Sequence, residues 1–563
     1  MRSDHAFAIV RIFAAILATL LAGCAPQLTR TEPVSLRLIA LNDFHGNLKT
    51  PGALRLPDPK EPGKQQLVVA GGAAHLATAI ASLRKDTPNS IVVGAGDLIS
   101  ASPLISSLFN DEPTIEVLDR LGVDISSVGN HEFDRGKTEL LRLVNGGCLA
   151  EGCITGSPYS GARFRYLAAN VIETATGRSV LPAYEIRKVE GVPVAFIGMT
   201  LKSTPAVVTR SGVAGLRFDD EVETVNTLVP KLRAEGVEAI VVLIHEGGFV
   251  KGAWDDPACP GFNGEIVEIT RRFDKAVDLV VSGHTHRAYA CKVDGRWVTS
   301  AGDYGRFLTR IDLKLSPLTR DVVSIEAKNI LIDIREYSPD PAVAALIDKY
   351  DKLAAPRANR IVGYLKGELL PVANDAGESA LGNFIADAQL AATRVAGAEV
   401  AFMNPGGVRA ALSPKQPDGG ITYSDIFSAQ PFGNTLVTMS LSGEQILRIL
   451  ENQFPREADG FRRVLSVSDG FTYVWDNARP HGSKVVFESV RLSGQPLDRA
   501  KRYRVTVNSF MADGGDGITL LREGTDREGG MLDLDALENW LRAKGSRESP
   551  FATAPLTRIK RLN

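Results

Sequence analysis

With 563 residues the chain is too long for one ordinary hydrophobic core, so two folded domains are expected. A hydrophobic share of 44% and a charged share of 23% describe a globular protein, not a disordered or fibrous one. The net charge of −2 lacks the basic balance that binding a nucleic-acid polymer calls for, so no such partner is expected, local patches aside.

Arg2 and Arg11 flank a short start, then residues 12–20 form an apolar run that leads into Leu21-Ala22-Gly23-Cys24. The run is shorter than the roughly 20 residues a membrane span needs, and it breaks at Gly23 and Pro26. The pattern resembles a bacterial lipobox, which implies a signal peptide over 1–23, lipidation of Cys24 and a polar tether over 24–34. Ala25, in place of Asp, is similar to the outer-membrane sorting pattern. The chain is therefore expected to be exported and held at the outer membrane, facing the periplasm or the cell surface, through its N-terminal lipid alone. In that oxidising compartment Cys148–Cys153 and Cys259–Cys291 are the expected disulfides, because these partners are near in sequence. Four cysteines allow three pairings, and free buried thiols are the alternative.

The next three hundred residues alternate β-rich runs with helical ones. Strands are expected over 36–41, 90–94, 125–128, 166–169, 192–198, 239–244 and 276–281, with amphipathic helices over 113–121 and 221–234. This pattern predicts an α/β domain over 35–335 with strands covered by helices. Pro341 opens a helix over 341–350, read as part of a connector over 336–360. From 361 to 563 a second, smaller α/β or α+β domain is expected, with helices over 379–392 and 442–453 and strands over 484–492 and 502–508.

Each motif that carries chemistry sits just past one of the first domain's strands, where open α/β sheets place their sites. The motifs are Asn42-Asp43-Phe44-His45-Gly46, Gly96-Asp97, Gly129-Asn130-His131-Glu132-Phe133-Asp134, Ile244-His245-Glu246 and Gly283-His284-Thr285-His286. Imidazole, carboxylate and amide oxygen form a mixed donor set that suits divalent Zn, Mn, Fe or Co, and the absence of thiolates argues against a structural zinc cage. Two such ions need a bridging carboxylate, and Asp97 stands alone on its loop. Taken singly, His45 or His245 reads equally well as a loop histidine, Asp43 or Asp97 as a helix cap, and Asn130 as a turn former. The ordered series is harder to explain that way. His75 and His481 fit no motif and are read as structural or surface residues.

In this order the motifs resemble the calcineurin-like metallophosphoesterase domain, and the form Asn130-His131-Glu132-Phe133-Asp134 is similar to that of the 5′-nucleotidase family. The resemblance implies a four-layered β-sandwich with helices. It implies two divalent metal ions (Zn, Mn, Co, Fe or Mg), one held by Asp43, His45, Asp97 and His286 and the other by Asp97, Asn130, His245 and His284. Ions so held polarise phosphate and lower the pKa of water, so no protein nucleophile is needed. His131, oriented by Asp134, is implied to stabilise the transition state rather than to hold metal.

The second domain carries Asn404-Pro405-Gly406-Gly407-Val408-Arg409, Gln430-Pro431-Phe432-Gly433-Asn434 and a run from Asn508 to Gly517 that includes Phe510 and Asp516. These resemble the substrate-binding signatures of the 5′-nucleotidase C-terminal domain. The resemblance implies that Phe432 and Phe510 sandwich a base, Arg409 grips phosphate, Asp516 accepts from the ribose hydroxyls, and Asn404, Gly407 and Asn434 line the site. Ordinary core packing is the alternative fate of the two phenylalanines. Relatives often carry an arginine before the helix at 379, whereas the segment 373–377 has none and Arg357 and Arg360 lie well upstream.

The implied activity is release of phosphate from nucleoside 5′-monophosphates and related nucleotides. The same fold and metals also serve hydrolysis of 2′,3′-cyclic nucleotides, UDP-sugars or dinucleotides, or of sulfur compounds on a carrier protein. A non-catalytic nucleotide-binding or adhesin lipoprotein is the alternative from another class. The sequence does not fix the oligomeric state.

Overall fold

Side-chain alternation along two strands already builds three layers. In Val34–Leu41, Leu36, Leu38 and Ala40 join a core between two sheets, while Ile39 and Leu41 face the helices on the outer side. In Ala239–His245, Val241 and Leu243 enter the same inner core and Ile240, Val242 and Ile244 pack under helices on the opposite outer face. Strands apolar on both faces must be covered on both faces, and this one is fully buried along its length.

The computed structural model describes residues 31–57, 64–209, 211–454 and 463–563; the expected signal peptide, Cys24 and most of the tether lie outside them. The first domain is built on twelve main strands: β1 (Val34–Leu41), β2 (Ser90–Ala95), β3 (Ile125–Ser127), β4 (Arg165–Leu167), β5 (Tyr184–Val189), β6 (Val192–Thr200), β7 (Ala239–His245), β8 (Leu279–Val281), β9 (Ala288–Val293), β10 (Arg296–Ala301), β11 (Phe307–Leu315) and β12 (Val322–Leu331). They form two six-stranded sheets, ordered β12-β11-β1-β2-β3-β4 and β9-β10-β8-β7-β6-β5. Strands β1 to β4 run parallel, as do β6, β7, β8 and β10. The sheets pack face to face with helices outside each, which is the four-layered α/β sandwich expected. One expected strand is shorter than its apolar run. Residues 276–278 turn instead, with the Val277 N–H donating to the Asp274 carbonyl at 3.1 Å, and β8 begins only at Leu279.

The helix Glu221–Ala234 lies where its periodicity predicts, capped by Asp220, whose side chain accepts from Val222 and Glu223. The helix that opens at Pro341 runs on to Ala358. Val343, Leu346, Ile347, Tyr350 and Ala354 enter the first domain's helix-side core, and Ala358 packs with the second domain. The segment read as a connector is thus built into the first domain along most of its length.

The second domain holds a five-stranded sheet in the order Ser466–Val467, Val400–Met403, Arg502–Asn508, Thr435–Ser442, Thr525–Leu532, and a four-stranded sheet that includes Phe471–Asp476 and Val485–Leu492. The helices Ala380–Thr393 and Gly443–Asn452 begin at the side-chain caps Ser379 and Ser442. Buried Glu378 accepts from the backbone N–H groups of Arg558 and Ile559 at 3.1 Å each, fastening the C-terminal strand. The structure joins Cys148 to Cys153 and Cys259 to Cys291. Among the described residues no helix is long and apolar enough to cross a membrane.

Candidate active site

Five loops converge at the carboxyl ends of parallel strands. Asp43 and His45 follow β1, Asp97 follows β2, Asn130 and His131 follow β3, His245 ends β7, and His284 and His286 follow β8. Asp43, His45, Asp97, His284 and His286 all adopt positive φ, between 46 and 71°. Such left-handed backbone costs a non-glycine residue on the order of 1 kcal/mol, and it persists where surrounding structure fixes it. Glycine at 129 is required by the same crowding, since a β-carbon there would stand 2.2 Å from Asp97 Oδ1.

Two groups of donors result. Asp43, His45 and His286 offer ligand atoms within 4.8 Å of one another, and so do Asp97, His245 and His284. Asp97 Oδ2 lies 2.9 Å from His245 Nε2 and 3.7 Å from His45 Nε2, so one carboxylate oxygen faces both groups. Its other oxygen accepts the His131 N–H at 2.8 Å. His45 and His245 turn Nδ1 to the main-chain carbonyls of Ser100 and Ala95, at 2.9 and 2.7 Å, which leaves Nε2 toward the centre. Asn42 holds Asp43 from behind, its amide 2.7 Å from Oδ2 and its oxygen accepting from Ala301.

The residues fit a pair of divalent cations. Asn130 Oδ1 is buried and has no hydrogen-bond partner among the described residues, which is the state of a lone pair reserved for a metal, and His245 Nε2 faces the Asp97 carboxylate at 2.9 Å. The electrostatics agree. Burial pushes the Asp43 and Asp97 carboxyls up, yet neighbouring imidazoles outweigh it, lowering Asp43 to about 2 and Asp97 well below the carboxylate range. Burial likewise opposes charge on His245, but Asp97 raises it to about 10, while burial and His245 lower His284 to about 3. Each group thus keeps its carboxylate ionised beside imidazoles, the charge pattern in which a divalent cation can take the place of the imidazole proton.

His131 stands beside these donors. Its Nδ1 is 2.7 Å from Asp134 Oδ2, and its ring meets His45 edge-on at 5.1 Å between centroids. Burial disfavours charge on this ring, but Asp134 and Asp97 prevail and raise its pKa. From the second domain, the Phe432 ring stacks on His131 and the Arg409 guanidinium lies 5.8 Å over Phe432. Arg409 Nε and Nη2 are buried without a hydrogen-bond partner among the described residues, and the charge of Arg409 is felt at His45 and His131.

The remaining expected substrate residues form a separate cluster. Asn404 Nδ2 donates to Asp516 Oδ2 at 2.7 Å, Asn508 donates to Asn404 at 3.0 Å, and Ser509 donates to Asn434 at 3.2 Å. Gly407 sits tightly against Met403 and Asn404. Phe510 is half-buried with its ring against Gly515, and no ring contact joins it to Phe432 among the described residues. The turn Gly515–Gly517 lies against the short helix Thr204–Val207 of the first domain. Arg357 and Arg360 are engaged elsewhere: Arg360 makes a two-pronged pair with Glu538 at 2.6 and 2.7 Å, and Arg357 lies over Tyr423.

The motifs give Glu132 no role and do not include Asp303. Glu132 is buried and accepts from the N–H groups of Gly129, Asp97 and Leu98 at 2.5, 2.9 and 2.9 Å, stapling two metal-facing loops. Burial and the Asp97 charge push its carboxyl up to about 7, against the Gly129 and Asp97 N–H groups and His245. Asp303 follows β10, 3.4 Å from His286 Nδ1. The visible signal for it was a carboxylate between Gly302 and Gly305 at a strand end.

A family model described as calcineurin-like phosphoesterase matches residues 36–288, and one described as 5′-nucleotidase, C-terminal domain, matches residues 361–523. The chain is 34% identical over 541 residues to the Bacillus subtilis protein named Endonuclease YhcR, a match covering 95% of this chain and 41% of that protein. It is 25% identical over 585 residues to a Vibrio cholerae protein named 5′-nucleotidase, covering 94% and 95% of the two chains. A crystal structure of a 5′-nucleotidase precursor from Thermus thermophilus superposes with a TM-score of 0.76 at 27% identity, covering 94% of this chain and 99% of that one. With both domain models matched in series and the same architecture throughout, this chain belongs to the 5′-nucleotidase family of metal-dependent phosphoester hydrolases, which work with two divalent cations.

Proposed function

We propose that the chain is an exported, lipid-anchored phosphohydrolase that releases phosphate from nucleoside 5′-monophosphates and related nucleotides. The observation that carries this reading is the reach of Arg409 and Phe432 from the second domain to His131 and the metal-facing loops of the first. A group that grips phosphate and a ring that stacks on a base then serve one bound nucleotide.

When bound, the two cations supply Lewis-acid charge to the phosphate oxygens and ease the ionisation of water. The protein's own groups do the rest. Asp97 spans the two donor groups through Oδ2, with Oδ1 fixed by the His131 N–H. Water attacks phosphorus in line, and the ribose oxygen leaves with a proton as the 5′-hydroxyl. His131, its Nδ1 held by Asp134, turns Nε2 to the phosphate oxygens as negative charge gathers on them. Arg409 adds a second positive group there, through Nε and Nη2, which have no partner among the described residues. Phe432 and Phe510 take the base and Asp516 the ribose.

The test is a substrate panel on metal-replete protein, with and without chelator: AMP, UMP, cyclic AMP, UDP-glucose, NAD and bis-p-nitrophenyl phosphate. AMP or UMP should be preferred, and chelator should abolish turnover; turnover that survives chelation would refute the reading. A second reading, phosphodiester hydrolysis, draws on the relative named for endonuclease activity and predicts that bis-p-nitrophenyl phosphate and cyclic AMP outrun AMP. The anchor rests on residues 21–24, and a Cys24→Ser variant should move the protein from the membrane to the soluble fraction.

A further inference from the structure

The turn Gly302-Asp303-Tyr304-Gly305-Arg306 joins β10 to β11 and belongs to none of the motifs. Its carboxylate nevertheless faces a metal-site imidazole. Asp303 Oδ2 lies 3.4 Å from His286 Nδ1, and the opposite ring nitrogen of His286 lies 3.3 Å from Asp43 Oδ1. The other Asp303 oxygen accepts from Arg306 Nη1 at 2.7 Å, so the carboxylate is held from two sides. The turn is also fastened to the loop that carries Asp43, because the Tyr304 N–H donates to the Asp43 carbonyl at 2.7 Å, with Tyr304 at φ 54°.

The contrast among the histidines is what gives this contact meaning. His45 and His245 direct Nδ1 to main-chain carbonyls and have fully buried side chains. Of these three, only His286 turns Nδ1 to a carboxylate among the described residues, and its side chain is 24% exposed. A partly exposed imidazole is free to turn away. A carboxylate at Nδ1 keeps the proton on that nitrogen, leaves the Nε2 lone pair for a cation, and strengthens it as a donor.

We propose that Asp303, held by Arg306, is a positioning residue for the metal site formed by Asp43, His45 and His286, so that this site depends on a carboxylate partner which the Asp97, His245 and His284 site does not share. The inference rests on the dimetal reading above. The two sites should therefore differ in how they respond to one substitution.

The experiment is calorimetric titration of the full, chelator-stripped chain with Mn2+, comparing wild type with Asp303→Ala, Asp303→Asn and His286→Ala. Wild type should take two equivalents. The Asp303→Ala variant should keep one at wild-type affinity and bind the other about 10- to 100-fold more weakly. The Asp303→Asn variant, which keeps an acceptor but not the charge, should fall between. His286→Ala should lose the same equivalent, and adding Asp303→Ala to it should cost nothing further. Two equivalents at wild-type affinity in both Asp303 variants would overturn the proposal and leave the dimetal reading standing. Loss of both equivalents in Asp303→Asn would overturn it as well, since the residue would then be holding the fold. Wild type that takes no Mn2+ would sink the dimetal reading, and the proposal with it.

Discussion

The Phe432 ring of the second domain stacks on the His131 ring of the first, with centroids 5.7 Å apart and planes 19° from parallel. The ring offered to a nucleobase is therefore closed over the residue offered to the phosphate. A base that stacks on the His131 side of Phe432 has to part this pair. Base stacking is worth about 1–3 kcal/mol, so Phe432→Ala should raise KM for AMP roughly tenfold or more. Hydrolysis of p-nitrophenyl phosphate, which has no nucleobase, should change far less. Equal losses on both substrates in steady-state kinetics would remove Phe432 from base recognition.

His131 and Asp97 should separate chemistry from metal binding. His131 is tied to Asp134 and lies beside the donors without joining either group, so His131→Ala should lower kcat by about 10²–10⁴ and leave two equivalents of metal bound. Asp97 faces both groups, and Asp97→Ala should lose metal from both. Metal analysis by mass spectrometry beside kcat decides it. Retained metal and retained turnover in both variants would discard the assignment.

Glu132 should matter for stability more than for turnover chemistry. Its carboxyl gathers three main-chain N–H groups from the loops after β2 and β3. A glutamine has one acceptor oxygen and turns an NH2 group toward the remaining donors. Leaving buried N–H groups unpaired costs about 1–3 kcal/mol, and the Glu132→Gln variant should show that loss in denaturant unfolding. An unchanged unfolding midpoint would mean that the staple carries no load.

Much of this site was legible because its residues sit at strand ends. Alternation and apolar runs located β1, β2, β6 and β7 within a residue or two, and each motif begins within two residues of its strand's end. Local signals of that kind reach no further than the loop. The partnership of Asp303 with His286 follows from β10 lying next to β8 in the sheet, and nothing in the spacing of the two residues announces it. Glu132 looks like a spare acid in its motif until the loop after β2 is brought against it. The helix Pro341–Ala358 read as a connector because its apolar face shows no preference for either domain in the sequence; only packing against the helices of the first domain reveals where that face goes.

The acid–base behaviour of the second domain offers a test away from the metals. Asp533 is 2% exposed, and burial pushes its carboxyl from about 3.8 up to about 7, against hydrogen bonds from the Asn434 side chain and the Leu534 N–H. A carboxyl whose folded-state pKa is raised binds its proton more tightly in the native state than in the unfolded chain. Its contribution is fully present below the unfolded value and is lost as pH rises through about 7. Between pH 5.5 and 8 this group alone should therefore remove on the order of 2 kcal/mol of stability. The Asp533→Asn variant keeps an acceptor for the Leu534 N–H and cannot ionise, so its unfolding free energy should fall less over the same range. At pH 8 it should be more stable than wild type, with the gap closing or reversing at pH 5.5. Parallel stability–pH curves for the two proteins would show that Asp533 titrates as an ordinary solvated carboxyl, and that the pocket around Asn434 admits water freely.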